Sequence, residues 1–323
     1  MTEEIAIGVL GCADIARRRM LPAFAACPDL RVAAVAGRDP ARAEETAAPY
    51  GARAVAGYEA LLADARIDAV YVPLPLALHE RWVRAALDAG KHVLAEKPLT
   101  SRARGTVELF RLAERRGLAL VENVMFVHHS QHAEVRRLVG DGAIGELRGF
   151  RAEFTVPRRR PDDIRYSPEL GGGALWDTGV YPLRAALHLL GPELEVVGAA
   201  GAAAPGIPVD SSGAVLLRTE AGVSAQLSHG LDHAYRSSYE LVGSTGRLTL
   251  DAAFTPAADH RPVIRLHGAK GLREFTLPAD DQVARTVAAF TAAVRTGRAP
   301  AQAVDASVRQ AQLLDTVAGL TAA

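Results

Sequence analysis

The sequence predicts two domains: an α/β domain with a doubly wound parallel sheet over residues 1–123, then an α+β domain with a largely antiparallel sheet over 124–323. Three observations predict this. At 323 residues the chain exceeds what one ordinary core organises. Up to about residue 123, short apolar runs alternate with helical patterns, as in successive βαβ units. Beyond that point strand-like runs follow one another and are joined by tight turns.

Ile5–Leu10 is an apolar run of the kind a strand buried on both faces shows, and it leads through a glycine loop into a helical pattern, Ile15–Ala26. Leu30–Ala36 reads as the second strand, and Pro40–Tyr50 as a helix that starts on proline. Strands Ala69–Pro73, His92–Ala95 and Leu118–Glu122 follow, separated by helices His79–Ala89 and, capped by Thr100, a segment to Arg116 closed by Gly117. In the second domain Leu147–Val156, Glu195–Ala200, Gly213–Thr219, Gly222–Ser228, Tyr235–Gly243, Arg247–Leu250 and Val263–His267 read as strands. Glu220–Gly222 and Ser244–Gly246 are hairpin-like turns between them. Two helices, Asp281–Thr296 and Asp305–Leu320, close the chain.

Charge and composition exclude several classes of function. The 37 basic and 37 acidic side chains cancel, which argues against a nucleic-acid or anionic-membrane binder. No run of 18 strongly apolar residues predicts a membrane span, and the opening Met1-Thr2-Glu3-Glu4 lacks a secretory n-region. Cys12 and Cys27 cannot build a disulfide framework, so the expected compartment is the cytoplasm. Of the basic side chains only Lys91, Lys97 and Lys270 are lysine, and Asn123 is the sole asparagine. Against such a bias, a lysine or asparagine at a strand end stands out.

Gly11-Cys-Ala13-Asp-Ile-Ala16 lies where a strand passes into a helix, the place at which a dinucleotide fold holds its pyrophosphate. It keeps the first glycine of G-x-G-x-x-G and puts alanine at the other two, so an ordinary strand-to-helix turn is the competing reading. The second strand ends Ala36-Gly37-Arg38, without the acid that would bind the ribose diol of NAD. Arg38 offers a guanidinium to a 2′-phosphate instead, which points to NADP(H). Glu96-Lys97-Pro98 follows a strand at the carboxyl edge of the sheet, where an ammonium can face a substrate oxygen or donate a proton. In the second domain Gly171-Gly-Gly-Ala-Leu-Trp-Asp177-Thr-Gly-Val-Tyr181 runs from glycines into a helix. Its Asp177 and Tyr181 are four apart, hence on one face.

The Gly11 loop, Val72-Pro-Leu-Pro75 with His79, Glu96-Lys97-Pro98, Glu122-Asn123 and Gly171–Asp177 together resemble the glucose–fructose oxidoreductase / inositol dehydrogenase / MocA family along essentially the whole chain. The loop Gly11–Ala16, with Met125-Phe-Val-His-His129, Asp163-Ile-Arg-Tyr166, Asp177–Tyr181 and Phe254-Thr-Pro256, is similar to the nucleotide-sugar 3-ketoreductases of deoxysugar antibiotic pathways. The resemblance implies a Rossmann domain, an open-faced sheet domain, and an active site between them. It implies NADPH-dependent reduction of a C-3 ketone on a dTDP-type sugar, with Lys97 as proton donor, Tyr181 beside the carbonyl and Asp177 in support. The implied cofactor residues are Gly11, Cys12, Ala13, Asp14, Ile15, Gly37, Arg38, Tyr58, Leu74, Pro75, His79, Glu96, Asn123, Arg165 and Asp177. Arg19, Tyr235 and Thr255 would touch the nucleotide-sugar, Arg19 in competition with Arg17 and Arg18. The open sheet would pair with a second copy.

Two other functions stay open. A dehydrogenase of a free sugar or inositol is disfavoured by Tyr181, where many family members carry histidine, and by Arg38. A non-catalytic NADP-sensing regulator is disfavoured by the presence of Lys97, Asp177 and Tyr181 together. His128, His129 and His132 have metal-like spacing but lack a completing carboxylate or thiolate, so no metal is expected and they read as a polar helix start. Pro157-Arg-Arg-Arg-Pro161 reads as a solvated loop and Cys12 as a small packing residue.

Overall fold

The computed structural model describes residues 4–321, so the reading of the N-terminal Met1, Thr2 and Glu3 lies outside the described residues. The chain forms two compact units. One runs to Met125 and takes back Val283–Val308; the other comprises Phe126–Gln282 and the chain from Arg309. The expected boundary at 123/124 thus falls close to the first crossing, but a continuous second domain over 124–323 does not hold, because a late helical segment packs with the first unit. Its apolar Val283, Val287, Phe290 and Val294 join the core around β1 (Ile5–Leu10).

The first unit continues with α1 (Leu21–Ala26), β2 (Leu30–Gly37), α2 (Pro40–Ala47), β3 (Arg53–Ala56), α3 (Tyr58–Leu62), β4 (Ala69–Val72), α4 (Leu76–Asp88), β5 (His92–Glu96), α5 (Ala103–Arg116) and β6 (Leu120–Asn123). The six strands are parallel in the order β3-β2-β1-β4-β5-β6, the doubly wound arrangement. β1 and β4 are buried at every position, which is why their sequences run apolar without alternation. α2 begins on Pro40 because Asp39 accepts from the N–H groups of Ala41 and Arg42.

Some details depart from the sequence reading. β3 and α3 are four and five residues long, too short to show a period. α4 starts at Leu76 rather than His79. Thr100 does not cap α5: its hydroxyl donates to the Arg102 carbonyl, and the helix starts at Ala103. Lys91, one of the rare lysines, is a buried staple whose ammonium donates to the carbonyls of Asp64 and Ile67.

The second unit contains α6 (Ser130–Gly140), β7 (Leu147–Thr155), α7 (Val180–Leu190), β8 (Leu194–Ala202), β9 (Ser212–Thr219), β10 (Ser224–Gly230), β11 (Arg236–Gly243), β12 (Gly246–Asp251), β13 (Val263–Gly268) and β14 (Gly271–Thr276). Its eight strands lie in the order β14-β13-β12-β11-β7-β10-β9-β8, antiparallel throughout except where β7 meets β10. One face is apolar: Phe150, Ala152, Phe154, Val215, Leu217, Ala225, Leu227, Leu248 and Leu250 are buried. Burying each larger side chain among these contributes about 1.5–3 kcal/mol. The opposite face carries ladders of ion pairs, Arg151–Glu240–Arg247 and Arg236–Asp251–Arg265. The edge strand β14 escaped the sequence reading because every position but Phe275 is exposed, leaving no alternation to see. The chain closes with α8 (Gln282–Thr296) and α9 (Ala301–Thr321). Among the described residues no helix is long and apolar enough to cross a membrane.

Candidate active site

In the first unit the loop after β1 is built from Gly11, whose φ of +111° few other residues adopt. Its N–H donates to the Ala36 carbonyl, and a Cβ there would lie 3.0 Å from a Leu74 methyl and 3.6 Å from the Tyr58 hydroxyl. The following helix starts at Asp14 and passes into a π-helical turn, Ala16–Met20; no side-chain hydrogen bond caps that turn, and the first helical backbone bond runs from Arg17 N–H to the Ala13 carbonyl. The first N–H groups of the helix are therefore left for an anion. Cys12 packs at Gly37, as expected of a small residue.

Arg38 is exposed at the end of β2 and makes no ion pair among the described residues. Burial raises the pKa of the Tyr58 phenol, and the positive charge of Arg38 partly counters that rise. Gly11, Gly37, Arg38, Tyr58 and Leu74 are thus gathered at one edge of the sheet. The three neighbouring arginines also separate. Arg17 pairs with Glu45 at 3.2 Å and Arg18 with Asp14 at 3.0 Å, whereas half-buried Arg19 has no ion pair among the described residues.

Two strands along, β5 ends on Glu96 with half-buried Lys97 next. Glu96 Oε1 accepts from the Tyr71 hydroxyl at 2.6 Å and from Asn123 Nδ2 at 2.6 Å. The carboxylate fixes the amide: its nitrogen faces Glu96, so Oδ1 is the acceptor left over, buried and without a protein partner. Leu99 N–H, just past Pro98, donates to Glu122 of β6 at 2.9 Å. Pro75 stands at the start of α4. His79 is 1% exposed, and both of its ring nitrogens face backbone carbonyls.

In the second unit the glycine run makes a close turn under its helix. A Cβ on Gly172 would fall 2.4 Å from the Arg165 carbonyl oxygen, so only glycine fits. The helix again has a π-helical turn close to its start, Leu175–Gly179 after Ala174, which carries Asp177 and leads into α7 with Tyr181. Such turns recur at functional sites. Here, though, the start is plugged. Asp210, from the segment before β9, accepts from Leu175 N–H through its carboxylate at 2.7 Å and from Ala174 N–H through its carbonyl at 2.9 Å. Burial raises the Asp210 pKa against these donors.

Asp177 is held by Arg165 at 2.6 Å, and Arg165 by Asp163 at 3.1 Å. Burial opposes the guanidinium charge, but the two carboxylates more than offset it and raise the Arg165 pKa. Tyr181 sits among aromatic rings, with Phe154 at 4.6 Å, Phe254 at 5.8 Å and Phe126 at 6.0 Å between centroids. Phe154 also meets Tyr235 at 6.4 Å, and the Tyr235 and Thr255 hydroxyls are 3.1 Å apart.

Asp210 and the wall of Phe126 and Phe154 were absent from the sequence reading. Phe154 had a signal in the alternation along β7; Asp210 had none, since nothing local links it to a helix 35 residues earlier. The histidines also differ from expectation. His129 and His132 are buried, and His132 Nδ1 lies 2.9 Å from the Tyr239 hydroxyl, so they form a core network rather than a polar helix start. Burial, then His188 and His129, push the His132 pKa well down. The Pro157–Pro161 arginines lie on the surface, with Arg158 near Asp232 and Arg160 near Asp162.

Comparison with known proteins identifies relatives along nearly the whole chain. The model of an oxidoreductase family with an NAD-binding Rossmann fold matches residues 5–124, and that of the GFO/IDH/MocA C-terminal domain matches 132–249. The chain is 53% identical to a dTDP-3,4-didehydro-2,6-dideoxy-alpha-D-glucose 3-reductase of Streptomyces violaceoruber, over 96% of this chain and 94% of the relative. It is 51% identical to the enzyme of the same name from Streptomyces antibioticus, over 97% and 96%. Among solved structures, KijD10, a 3-ketoreductase from Actinomadura kijaniata in complex with NADP and TDP-benzene, superposes with a TM-score of 0.97 at 48% identity, covering 99% of this chain and 98% of that one. With both family models matched in sequence order, the chain belongs to the GFO/IDH/MocA family of oxidoreductases.

Proposed function

We propose that this protein is an NADPH-dependent reductase of the C-3 ketone of a nucleotide-linked deoxysugar, of the dTDP type that its relatives are named for. The observation that carries the reading is the aromatic path in the second unit. Tyr235 with Thr255, expected at the nucleotide-sugar, leads through Phe154 to Tyr181, expected at the reacting carbonyl. One continuous surface can then hold a sugar by its nucleotide while its ring meets a phenol. Arg19, relieved of ion pairs, suits the diphosphate.

The first unit fits NADP(H). Arg38 takes the 2′-phosphate, the uncapped turn after Gly11 takes the pyrophosphate, and the unsatisfied Asn123 Oδ1 is a buried acceptor for an amide N–H. When bound, NADPH supplies the hydride. Lys97 supplies the proton to the developing alkoxide, and Tyr181 hydrogen-bonds the same oxygen. Asp177, fixed by Arg165, keeps the start of the Tyr181 helix in place. We further propose that a second copy covers the outer sheet face, where Leu216 is exposed between the inward Val215 and Leu217. The two free cysteines suit a cytoplasmic enzyme.

The test follows NADPH absorbance with a 3-keto dTDP-sugar generated in situ, against NADP⁺ or NAD⁺ with free glucose, xylose or inositol. NADPH consumption confined to the nucleotide-linked ketone supports the reading; activity confined to a free polyol overturns it. Lys97→Ala should lower kcat by about 10²-fold or more with NADPH affinity nearly unchanged. Arg38→Asp should erase a preference for NADPH over NADH, a change of about 10²-fold in relative kcat/KM. Unchanged selectivity in that variant refutes the 2′-phosphate assignment.

A further inference from the structure

His79 has hydrogen-bond partners that a neutral side chain cannot satisfy. Its ring is 1% exposed at the first turn of α4. Nε2 lies 2.7 Å from the carbonyl oxygen of Leu74, and Nδ1 lies 3.0 Å from that of Pro98. A backbone carbonyl only accepts, and neutral imidazole has one N–H. In either neutral tautomer a ring lone pair would face a carbonyl lone pair inside the core, at a cost comparable to a buried unsatisfied group. Two carbonyl partners require two N–H donors.

The surroundings bear on that charge. Burial is the largest influence and leaves the imidazole pKa below its ordinary value, although backbone groups of Leu74, Pro98 and Leu99 and the carboxylate of Glu96 act in the opposite direction; the two-carbonyl geometry opposes that net lowering. Glu96 is held by Tyr71 and Asn123, and Glu122 of β6 accepts from the residue after Pro98. On its own helix, Glu80 faces away to Arg84. The two carbonyls matter because of what adjoins them. The Leu74 side chain is the neighbour that Gly11 approaches, and Pro98 directly follows Lys97.

We propose that His79 is a positioning residue, an imidazolium whose two N–H groups tie the turn beside the phosphate loop to the residue after Lys97, and so hold the proton donor in register with the cofactor-binding edge. The role rests on Lys97 being the proton donor; the charge state does not.

Imidazole ¹⁵N spectra of the holoenzyme test the charge, with the His79 signals identified through their backbone or by their loss in His79→Gln. Both ring nitrogens of His79 should be protonated from about pH 6 to about pH 8, where an unperturbed histidine becomes neutral. One bare nitrogen near pH 7 overturns the proposal. Kinetics test the positioning. His79→Gln carries both of its N–H groups on one nitrogen and puts an acceptor oxygen where the ring has its second N–H, and kcat should fall about tenfold with little change in KM for NADPH. The basic limb of the kcat–pH profile should also move up, because a positive charge beside Lys97 has gone. Wild-type kcat and an unmoved profile overturn it. Normal turnover in Lys97→Ala would instead remove the proton-donor reading and leave the spectra of His79 as they are.

Discussion

Two helices of this protein begin alike and serve opposite ends. Each follows a glycine loop and carries a π-helical turn close to its start, Ala16–Met20 after Asp14 and Ile15 in the first unit and Leu175–Gly179 after Ala174 in the second. The first is left uncapped, so its N–H groups can receive a phosphate. The second is plugged by Asp210 through both carboxylate and carbonyl, so it cannot bind an anion. What it gains is a fixed origin for Asp177 and Tyr181. A glycine loop before a helix is therefore no phosphate site by itself; whether something already occupies the N-terminus decides.

The largest effect expected from testing this contrast comes from Gly172→Ala. The new methyl meets the Arg165 carbonyl oxygen, a backbone atom that cannot turn aside, and the variant should lose roughly 2–4 kcal/mol in thermal or denaturant unfolding. Wild-type stability would show that the second loop has room to relax. Asp210→Ala comes next. It strips the Leu175 N–H of its partner and should cost about 1–2 kcal/mol. It should also lower kcat about tenfold through a displaced Tyr181, with NADPH binding unchanged because the first helix start is untouched. Asp210→Asn keeps an acceptor and should recover most of the loss; a parallel loss of NADPH affinity would break the comparison.

The smallest effect is an acid one. A Cβ on Gly179 would lie 3.1 Å from the ring of His229, so the second helix start packs closely on that imidazole. Burial, then the nearby His233, lower the His229 pKa to about 4 in the folded protein, against 6.5 ordinarily. Stability from the neutral ring is complete above about pH 6.5 and is lost as pH falls through about 4. His229→Phe should therefore flatten the decline of Tm over that window. An unaltered acid limb would place the sensitivity in other groups, such as His188, which burial also lowers to about 4.

Much of the first site was legible because its determinants are local. The strand–loop–helix passage at Gly11, the missing acid at Arg38 and the Lys97 that follows a strand end are each read within a few residues. The aromatic wall was half legible, since Phe154 follows the alternation of β7 while Phe126 needs the fold to bring it to Tyr181. Asp210 and the contacts of His79 were invisible, because partners 35 and 19 residues away leave no periodic trace. The short β3 and the exposed β14 were missed for the same lack of period.

By itself the sequence determined the class of the two units, the cofactor edge and the family, since apolar period, glycine placement and the side chain that ends a strand act over single turns. Only the tertiary structure decided which helix start is open, which histidine faces two carbonyls, and that Val283–Val308 returns to the first unit. Those outcomes depend on which hydrogen-bond donors are already satisfied and which apolar faces are already covered, and both are settled when distant segments meet.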